Sequence, residues 1–138
     1  EENLADTIQA LIEYGADVIV VRNDGKEEIA LLADGCKIPI INAGDNTEKD
    51  KQHPTQASLD LYTIDRHLGR IDGISVAMVG DLKNGRTVRS LCYLLAKWSI
   101  AHIYLISPVA FQIGEDIKTY LAKHNVSFSE HIDIREVA

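Results

Sequence analysis

Cysteine, proline and long apolar runs are all scarce in this sequence of 138 residues. Its two cysteines, Cys36 and Cys92, are too few for the disulfide framework of a small secreted domain. Both lie in apolar, helix-like patterns, so we expect two buried free thiols. No apolar run approaches the ~20 residues of a membrane-spanning helix, and no signal peptide opens the sequence. These absences predict a soluble, cytoplasmic protein.

Positive charge is also in the minority, with 14 Lys and Arg residues against 21 Asp and Glu residues and a net charge of −7. This balance argues against a nucleic-acid partner and against binding to a membrane surface. It does not exclude an anionic small molecule, because a local group of arginines can override the overall field. Hydrophobic residues make up 46% of the sequence, which is enough for a globular core.

Strand-like and helix-like patterns alternate along the chain, which predicts an α/β fold with parallel strands and right-handed crossovers. The predicted strands cover residues 17–22, 38–42, 75–80, 102–106 and 127–131. The predicted helices start after the cap Asn3 and cover residues 25–33, 54–68, 84–98 and 114–124. Residues 43–52 are predicted to be a polar loop, and residues 136–138 resemble the start of a further helix.

Two polar segments follow predicted strands and precede helices. The first is N-A-G-D-N-T-E-K-D-K-Q-H-P-T-Q-A at residues 42–57, and the second is G-D-L-K-N-G-R-T-V-R-S-L at residues 80–91. Open α/β sheets bind ligands beyond the carboxyl ends of their strands, where helix N-termini favour anions. Two such segments suggest a reaction between two anionic small molecules.

Three residues of the first half have side chains suited to such ligands. His53 precedes a helix-starting proline, where a neutral imidazole could donate to a carbonyl oxygen or simply cap its own helix. Gln56 could bind an amide, although an ordinary polar role in the first turn is the more common state. Arg22 ends a Val- and Ile-rich run and needs a partner, either an anionic ligand or a carboxylate such as Asp45.

In the second half, Arg86 follows Gly85, which permits a tight turn. Its guanidinium could hold a carboxylate through two parallel hydrogen bonds, although a solvated arginine is the usual state. Lys83 could contribute positive electrostatic potential to this site, or it could be an ordinary solvated lysine. Asp45 and Asp81 each follow a glycine, and we expect both to make backbone hydrogen bonds. His67, His102, His124 and His131 lack metal-ligand spacing, so no metal site is predicted.

The two polar segments, together with L-D-L-Y-T-I after the first, resemble aspartate carbamoyltransferase. The opening N-L-A-D-T-I is similar to a helix of the same family, and the resemblance covers essentially the whole chain. The ornithine-using relatives typically have cysteine in the H-P-x-Q slot and lack the L-K-x-G-R-T run. Thr55 and residues 83–87 therefore favour aspartate over ornithine.

The resemblance implies parts of two Rossmann-like, parallel-sheet domains joined by a linking helix. Residues 1–68 would be the second half of a carbamoyl phosphate-binding domain plus that helix, and residues 69–138 the first half of an aspartate-binding domain. His53 would polarise the carbamoyl carbonyl, with Arg22 and Gln56 also on carbamoyl phosphate. Arg86 and Thr87 would bind the α-carboxylate of aspartate. The family uses no cofactor, and its catalytic chains form homotrimers, sometimes with a regulatory subunit.

The same resemblance identifies departures from the family pattern. Asn23 follows Arg22 where the family usually has histidine, and residues 46–51 are longer and more charged than the family's glycine-rich link. The upstream phosphate loop and catalytic lysine and the downstream aspartate motifs are absent, so we expect a central fragment of a longer catalytic chain. The alternative is a non-catalytic carbamoyltransferase-like scaffold or interaction module. A nucleotide-binding domain is disfavoured, because no G-x-G-x-x-G follows a strand.

Overall fold

The computed structural model describes residues 3–22, 29–46 and 51–137. The chain forms two compact units, Glu1–Thr55 and Gln56–Ala138. Both contain parallel strands, which confirms the predicted α/β class. Asn23, the predicted helix start at Gly25 and residues 47–50 of the charged link lie outside the described residues.

The first unit is a small α/β layer. Its elements are α1 (Leu4–Glu13), β1 (Ile19–Val21), α2 (Ile29–Asp34), β2 (Ile40–Asn42), β3 (Asp45–Asn46) and β4 (Lys51–Gln52). The side chain of Asn3 accepts a hydrogen bond from the backbone N–H of Ala5 at 2.9 Å, which confirms the predicted helix cap. Strands β1 and β2 are parallel, with Ile19 opposite Ile40. Their buried faces and the two helices enclose Ile8, Ile19, Val21 and Ile29.

The linking helix α3 (Pro54–Leu68) begins in the first unit and continues into the second. The second unit then contains β5 (Ser75–Val79), α4 (Arg86–Leu95), β6 (His102–Ile106), the 3-10 turn η1 (Val109–Phe111), α5 (Glu115–Lys123), β7 (Phe128–His131) and the 3-10 turn η2 (Ile134–Glu136). Its sheet has the order β5-β6-β7 and is parallel throughout. Leu95, Ile103, Ile117 and Leu121 are almost completely excluded from solvent at its centre.

Two sequence-based expectations need correction. Residues 43–52 are not only a polar loop, since β3 and β4 form a short antiparallel ladder with Asp45 opposite Gln52. Cys92 is a fully buried thiol as predicted, but Cys36 is only half-buried and follows the end of α2. The strand and helix bounds otherwise agree within a few residues where the chain is described. Within these residues, no helix is both long and apolar enough to cross a membrane.

Candidate functional site

The first candidate site lies at the carboxyl edge of the β1–β2 sheet. Beyond β2 the ladder continues by one residue, since the N–H of Ala43 donates to the Val21 carbonyl at 2.8 Å. Gly44 follows with a φ of 136°, a left-handed conformation that favours glycine, and its N–H donates to the Asn42 side chain at 2.9 Å. The strand thus ends in a tight turn that a larger residue at position 44 would strain.

Arg22 and His53 each come directly after a strand of the first unit. Arg22 comes directly after β1, and His53 comes directly after β4. Because Gln52 lies opposite Asp45, the β3–β4 ladder returns the chain to a point three residues beyond the end of β2. Arg22 is exposed, so the expectation that burial forces it to find a partner is wrong. Exposure leaves its guanidinium within reach of a ligand at this edge.

His53 and Gln56 flank the start of α3, and each contacts a neighbour on its own segment. The Thr55 hydroxyl oxygen lies 3.2 Å from Nδ1 of His53. Nε2 of Gln56 donates to Oδ1 of Asp60, one helical turn further on, at 2.8 Å. The Asp60 carboxylate can only accept, so the NH₂ group of Gln56 faces Asp60 and the carbonyl oxygen of the same amide points the other way.

The second candidate site lies at the end of β5, and backbone hydrogen bonds hold its loop. Gly80 has a φ of 125° and donates to the Ile106 carbonyl at 3.1 Å. The Phe111 carbonyl accepts two N–H groups, those of Leu82 and Lys83, both at 3.0 Å. Leu82 is 1% exposed and anchors the loop in the core. The loop is therefore preorganised by contacts within its own unit.

Asp81 closes the same loop, as the sequence predicts. Its carboxylate accepts the backbone N–H and the side-chain amide of Asn84, each at 2.9 Å. The side-chain hydrogen bond from Asn84 is the main cause that lowers the pKa of Asp81 from its usual value. A Cβ on Gly85 would lie 2.7 Å from the Asp81 carbonyl oxygen, so only glycine fits this close approach. Asp81 serves as a structural loop residue in this geometry.

Arg86 and Thr87 are the first two residues of α4 and lie within the helix predicted over residues 84–98. Gly85 is the N-cap and contributes no side-chain hydrogen bond to the helix end. A helix N-terminus presents backbone N–H groups and positive potential, and both favour a carboxylate or a phosphate. The half-buried guanidinium of Arg86 adds a full positive charge at this helix end.

A second arginine on α4 ties this helix to α5. Arg89 donates to the Asp116 carboxylate at 2.5 Å, and the side chains are 16% and 54% exposed. The hydrogen bond from Arg89 lowers the pKa of Asp116 below its usual value. Sequence patterns alone did not indicate this contact, because the two residues lie 27 positions apart.

Two histidines outside the candidate sites, His102 and His131, are joined in a way the sequence did not reveal. Nε2 of His102 and Nε2 of His131 each lie 2.8 Å from the Ser129 hydroxyl. Nδ1 of His131 lies 3.1 Å from the Glu136 carboxylate. This chain of hydrogen bonds ties β6, β7 and η2 together. Among the described residues, no group of three or more His, Cys, Asp or Glu side chains has the arrangement of a metal site.

The comparisons with known proteins agree in pointing to one family. Residues 1–66 match the family model of the aspartate/ornithine carbamoyltransferase carbamoyl-P binding domain. The chloroplastic aspartate carbamoyltransferase of Arabidopsis thaliana is 49% identical over 137 residues, which cover 99% of this chain and 34% of the plant protein. The chain thus spans about a third of that relative's length.

Two solved structures extend the likeness to the fold. The catalytic subunit of M. jannaschii aspartate transcarbamoylase matches with a TM-score of 0.88 and 43% identity, covering 99% of this chain and 44% of that chain. Aspartate transcarbamoylase from Trypanosoma cruzi, in complex with carbamoyl phosphate and aspartate, matches with a TM-score of 0.81 and 39% identity. That match covers 99% of this chain and 43% of the T. cruzi chain.

Proposed function

Because this chain belongs to the aspartate carbamoyltransferase family, we propose that it supplies the central part of a catalytic chain of that enzyme. The reaction would transfer the carbamoyl group of carbamoyl phosphate to the amine of L-aspartate. The products would be N-carbamoyl-L-aspartate and phosphate, and the reaction would be an early step in pyrimidine synthesis. Residues 1–68 would belong to the carbamoyl phosphate-binding domain and residues 69–138 to the aspartate-binding domain.

The observation that carries the proposal is the pair of strand-end sites, one in each unit, built on the two motifs of the family. Each motif begins beyond a parallel strand, with a left-handed glycine and then an aspartate. Each ends at the start of a helix, with His53 before α3 and Arg86 at the start of α4. The T. cruzi relative binds both carbamoyl phosphate and aspartate, and each of these has anionic groups suited to such helix ends.

Three residues would bind carbamoyl phosphate, each at a different group of the substrate. Neutral His53 would donate a hydrogen bond to the carbamoyl carbonyl oxygen, where negative charge develops as the amine attacks. The carbonyl oxygen of Gln56 would accept from the carbamoyl NH₂, since Asp60 already takes a hydrogen bond from the Gln56 amide nitrogen. The exposed guanidinium of Arg22 would offset the charge of the phosphate.

On the aspartate side, Arg86 would hold the α-carboxylate through two parallel hydrogen bonds, with the Thr87 hydroxyl assisting. The preorganised loop at residues 80–85 would fix the direction of this grip. A fixed carboxylate aims the uncharged amine at the carbonyl carbon, and positioning of this kind can supply a large share of catalysis. Little covalent participation by the protein is needed, and the family resemblance implies a reaction without a cofactor.

The remaining partners are inferred from the family resemblance. We propose a homotrimer of longer catalytic chains. In the family such trimers sometimes associate with a regulatory subunit. The proposed location is the cytoplasm, although the Arabidopsis and pea relatives are named chloroplastic.

The decisive experiment places these residues in a full-length context. In the catalytic subunit from M. jannaschii, the matching 44% of the chain would be replaced by this sequence. We expect the chimera to form N-carbamoyl-L-aspartate from carbamoyl phosphate and L-aspartate. The matched control is the same chimera with Arg86→Ala. Its rate should no longer saturate with L-aspartate, whereas its affinity for carbamoyl phosphate should be retained.

A direct titration of this chain complements the chimera. Carbamoyl phosphate should shift the NMR signals of Arg22, His53 and Gln56, whereas L-aspartate should shift those of Arg86 and Thr87. A folded chimera without turnover, together with a chain that responds to neither ligand, would favour the non-catalytic scaffold instead. Carbamoyl phosphate shifts confined to the second unit would contradict the assignment of residues.

A further inference from the structure

The contact between Thr55 and His53 bears on which imidazole nitrogen carries the proton. Thr55 Oγ1 lies 3.2 Å from Nδ1 of His53, and both residues are half-buried. A neutral imidazole has one donor nitrogen and one acceptor nitrogen, and the hydrogen bond at one nitrogen decides the role of the other. The Thr55 hydroxyl can rotate to donate or to accept.

The position of His53 at the start of a helix favours the donating hydroxyl. His53 directly precedes α3, a helix of 15 residues. The first turn of a helix presents N–H groups that have no partner within the helix, so donors outnumber acceptors there. A nitrogen at this position is better placed to accept than to donate. If the Thr55 hydroxyl donates to Nδ1, the single proton of neutral His53 lies on Nε2.

We infer that Thr55 is a positioning residue, whose hydroxyl holds His53 in the tautomer with the proton on Nε2. This inference rests on the proposed function, because only in that reaction does a proton on Nε2 act on a substrate, as the donor to the carbamoyl carbonyl oxygen. The opposite tautomer would direct a lone pair at that oxygen and repel it. Thr55 would then contribute to turnover without touching either substrate.

Three versions of the 138-residue chain test the tautomer directly: the native sequence, Thr55→Ser and Thr55→Val. Serine keeps the hydroxyl, whereas valine has nearly the same shape and lacks it. Long-range ¹H–¹⁵N correlations of the imidazole rings report which nitrogen of His53 is protonated. We expect the Nε2–H form in the native chain and in Thr55→Ser. The population ratio should shift about two- to tenfold toward Nδ1–H in Thr55→Val, as expected from loss of one hydrogen bond.

His124 serves as the internal reference, because its Nδ1 contacts the Tyr120 carbonyl at 2.8 Å and should not respond to changes at Thr55. A native chain with the proton on Nδ1 of His53 would overturn the inference. So would equal behaviour of the serine and valine variants. Amide spectra of the three chains verify that α3 is retained, and a valine variant that loses α3 leaves the native tautomer and the serine variant to decide.

The catalytic arm uses the same substitutions in the full-length chimera. Thr55→Val should lower kcat by about two- to tenfold and leave the KM for carbamoyl phosphate nearly unchanged, whereas Thr55→Ser should retain kcat. Equal kcat values for the valine variant and the native chimera would overturn the catalytic role of Thr55. An inactive native chimera would count against the proposed function, while the tautomer measured in the isolated chain would still decide what Thr55 does to His53.

Discussion

The two units of this chain bury very different amounts of apolar side chain. Among the described residues, four buried hydrophobic residues form the core of the first unit and thirteen form that of the second. Because apolar burial is the main favourable term in folding, the second unit should be the more stable of the two. Its loop is held by hydrogen bonds from Gly80 to the Ile106 carbonyl and from Leu82 and Lys83 to the Phe111 carbonyl. The contrast predicts that the second unit, for which we propose aspartate binding, is the more rigid, while the first unit depends more on local contacts.

The same substitution in both cores tests the predicted difference in stability between the two units. Ile117 on α5 is 0% exposed, and Ile8 on α1 is 5% exposed. Replacement of a buried isoleucine by alanine costs about 2–5 kcal/mol, and the cost is larger where the site cannot collapse. We expect Ile117→Ala near the upper end and Ile8→Ala near the lower end. Urea denaturation followed by NMR signals of each unit measures both.

The exposed Leu31 provides the control for these core substitutions. Its side chain is 71% exposed, so Leu31→Ala should change the free energy of unfolding by no more than about 0.5 kcal/mol. Equal losses for Ile8→Ala and Ile117→Ala would show that the two cores resist a cavity alike. The inferred difference in rigidity would then be wrong.

A second prediction concerns the catalytic role proposed for His53 in the first unit, which has the smaller core among the described residues. In the full-length chimera, His53→Ala should reduce turnover by about 10²–10³, since it removes a donor aimed at charge that develops in the transition state. Carbamoyl phosphate affinity should change much less. Steady-state kinetics with each substrate varied separates the two effects. An unchanged turnover number would refute the proposed role of His53.

Much of the fold follows from local sequence patterns. Each described strand and helix of the second unit lies within or close to its predicted range, because apolar periodicity and the flanking glycines agree there. The β3–β4 ladder was missed, since its strands have two residues each and carry no apolar alternation. Cys36 was misassigned because it lies beyond Asp34, where α2 ends, and packs only partly buried against the first core.

The candidate sites show the same limit. Their residues could be proposed from the sequence, because glycine, aspartate and a cationic or imidazole side chain after a strand form a local pattern. The contacts that hold them could not be identified in this way. The Phe111 carbonyl lies far along the chain from Leu82, and Asp116 lies far from Arg89. Such pairs are set by the packing of α4 and η1 on the sheet, and sequence periodicity carries no information on them.

The third prediction tests the aspartate side of the comparison. In the chimera, Arg86→Lys keeps the positive charge but loses the planar fork that grips a carboxylate. A charged hydrogen bond of this type contributes about 1.5–3 kcal/mol, so the KM for aspartate should rise by about ten- to a hundredfold. The KM for carbamoyl phosphate should stay nearly constant. The reverse pattern, with weaker carbamoyl phosphate and unaffected aspartate, would contradict the division of labour between the units.

The smallest expected effect is an acid-dependent loosening of the second unit. The pKa of Asp116 is lowered from its usual value of 3.8, chiefly by the hydrogen bond from Arg89. A carboxyl whose pKa is lower in the folded state stabilises the fold above its unfolded pKa. That contribution is lost as the pH falls from about 4 through the folded value. The Asp116 side chain is 54% exposed, so solvent screening limits the contribution to less than about 1 kcal/mol.

The matched variants Asp116→Asn and Glu115→Gln separate this effect from a general loss of negative charge at the start of α5. Glu115 lies one residue earlier and contacts Lys118 at 2.6 Å, whereas only Asp116 reaches α4 through Arg89. We expect Asp116→Asn to lower the urea midpoint at pH 7 and to narrow the difference between pH 7 and pH 3. Because the Arg89 contact steadies α4, the same variant should also speed hydrogen exchange at the Arg89 amide, and Glu115→Gln should not. If both variants shift the midpoint equally, the Arg89–Asp116 contact does not distinguish the two carboxylates, and the rigidity of the second unit rests on its core and its loop alone.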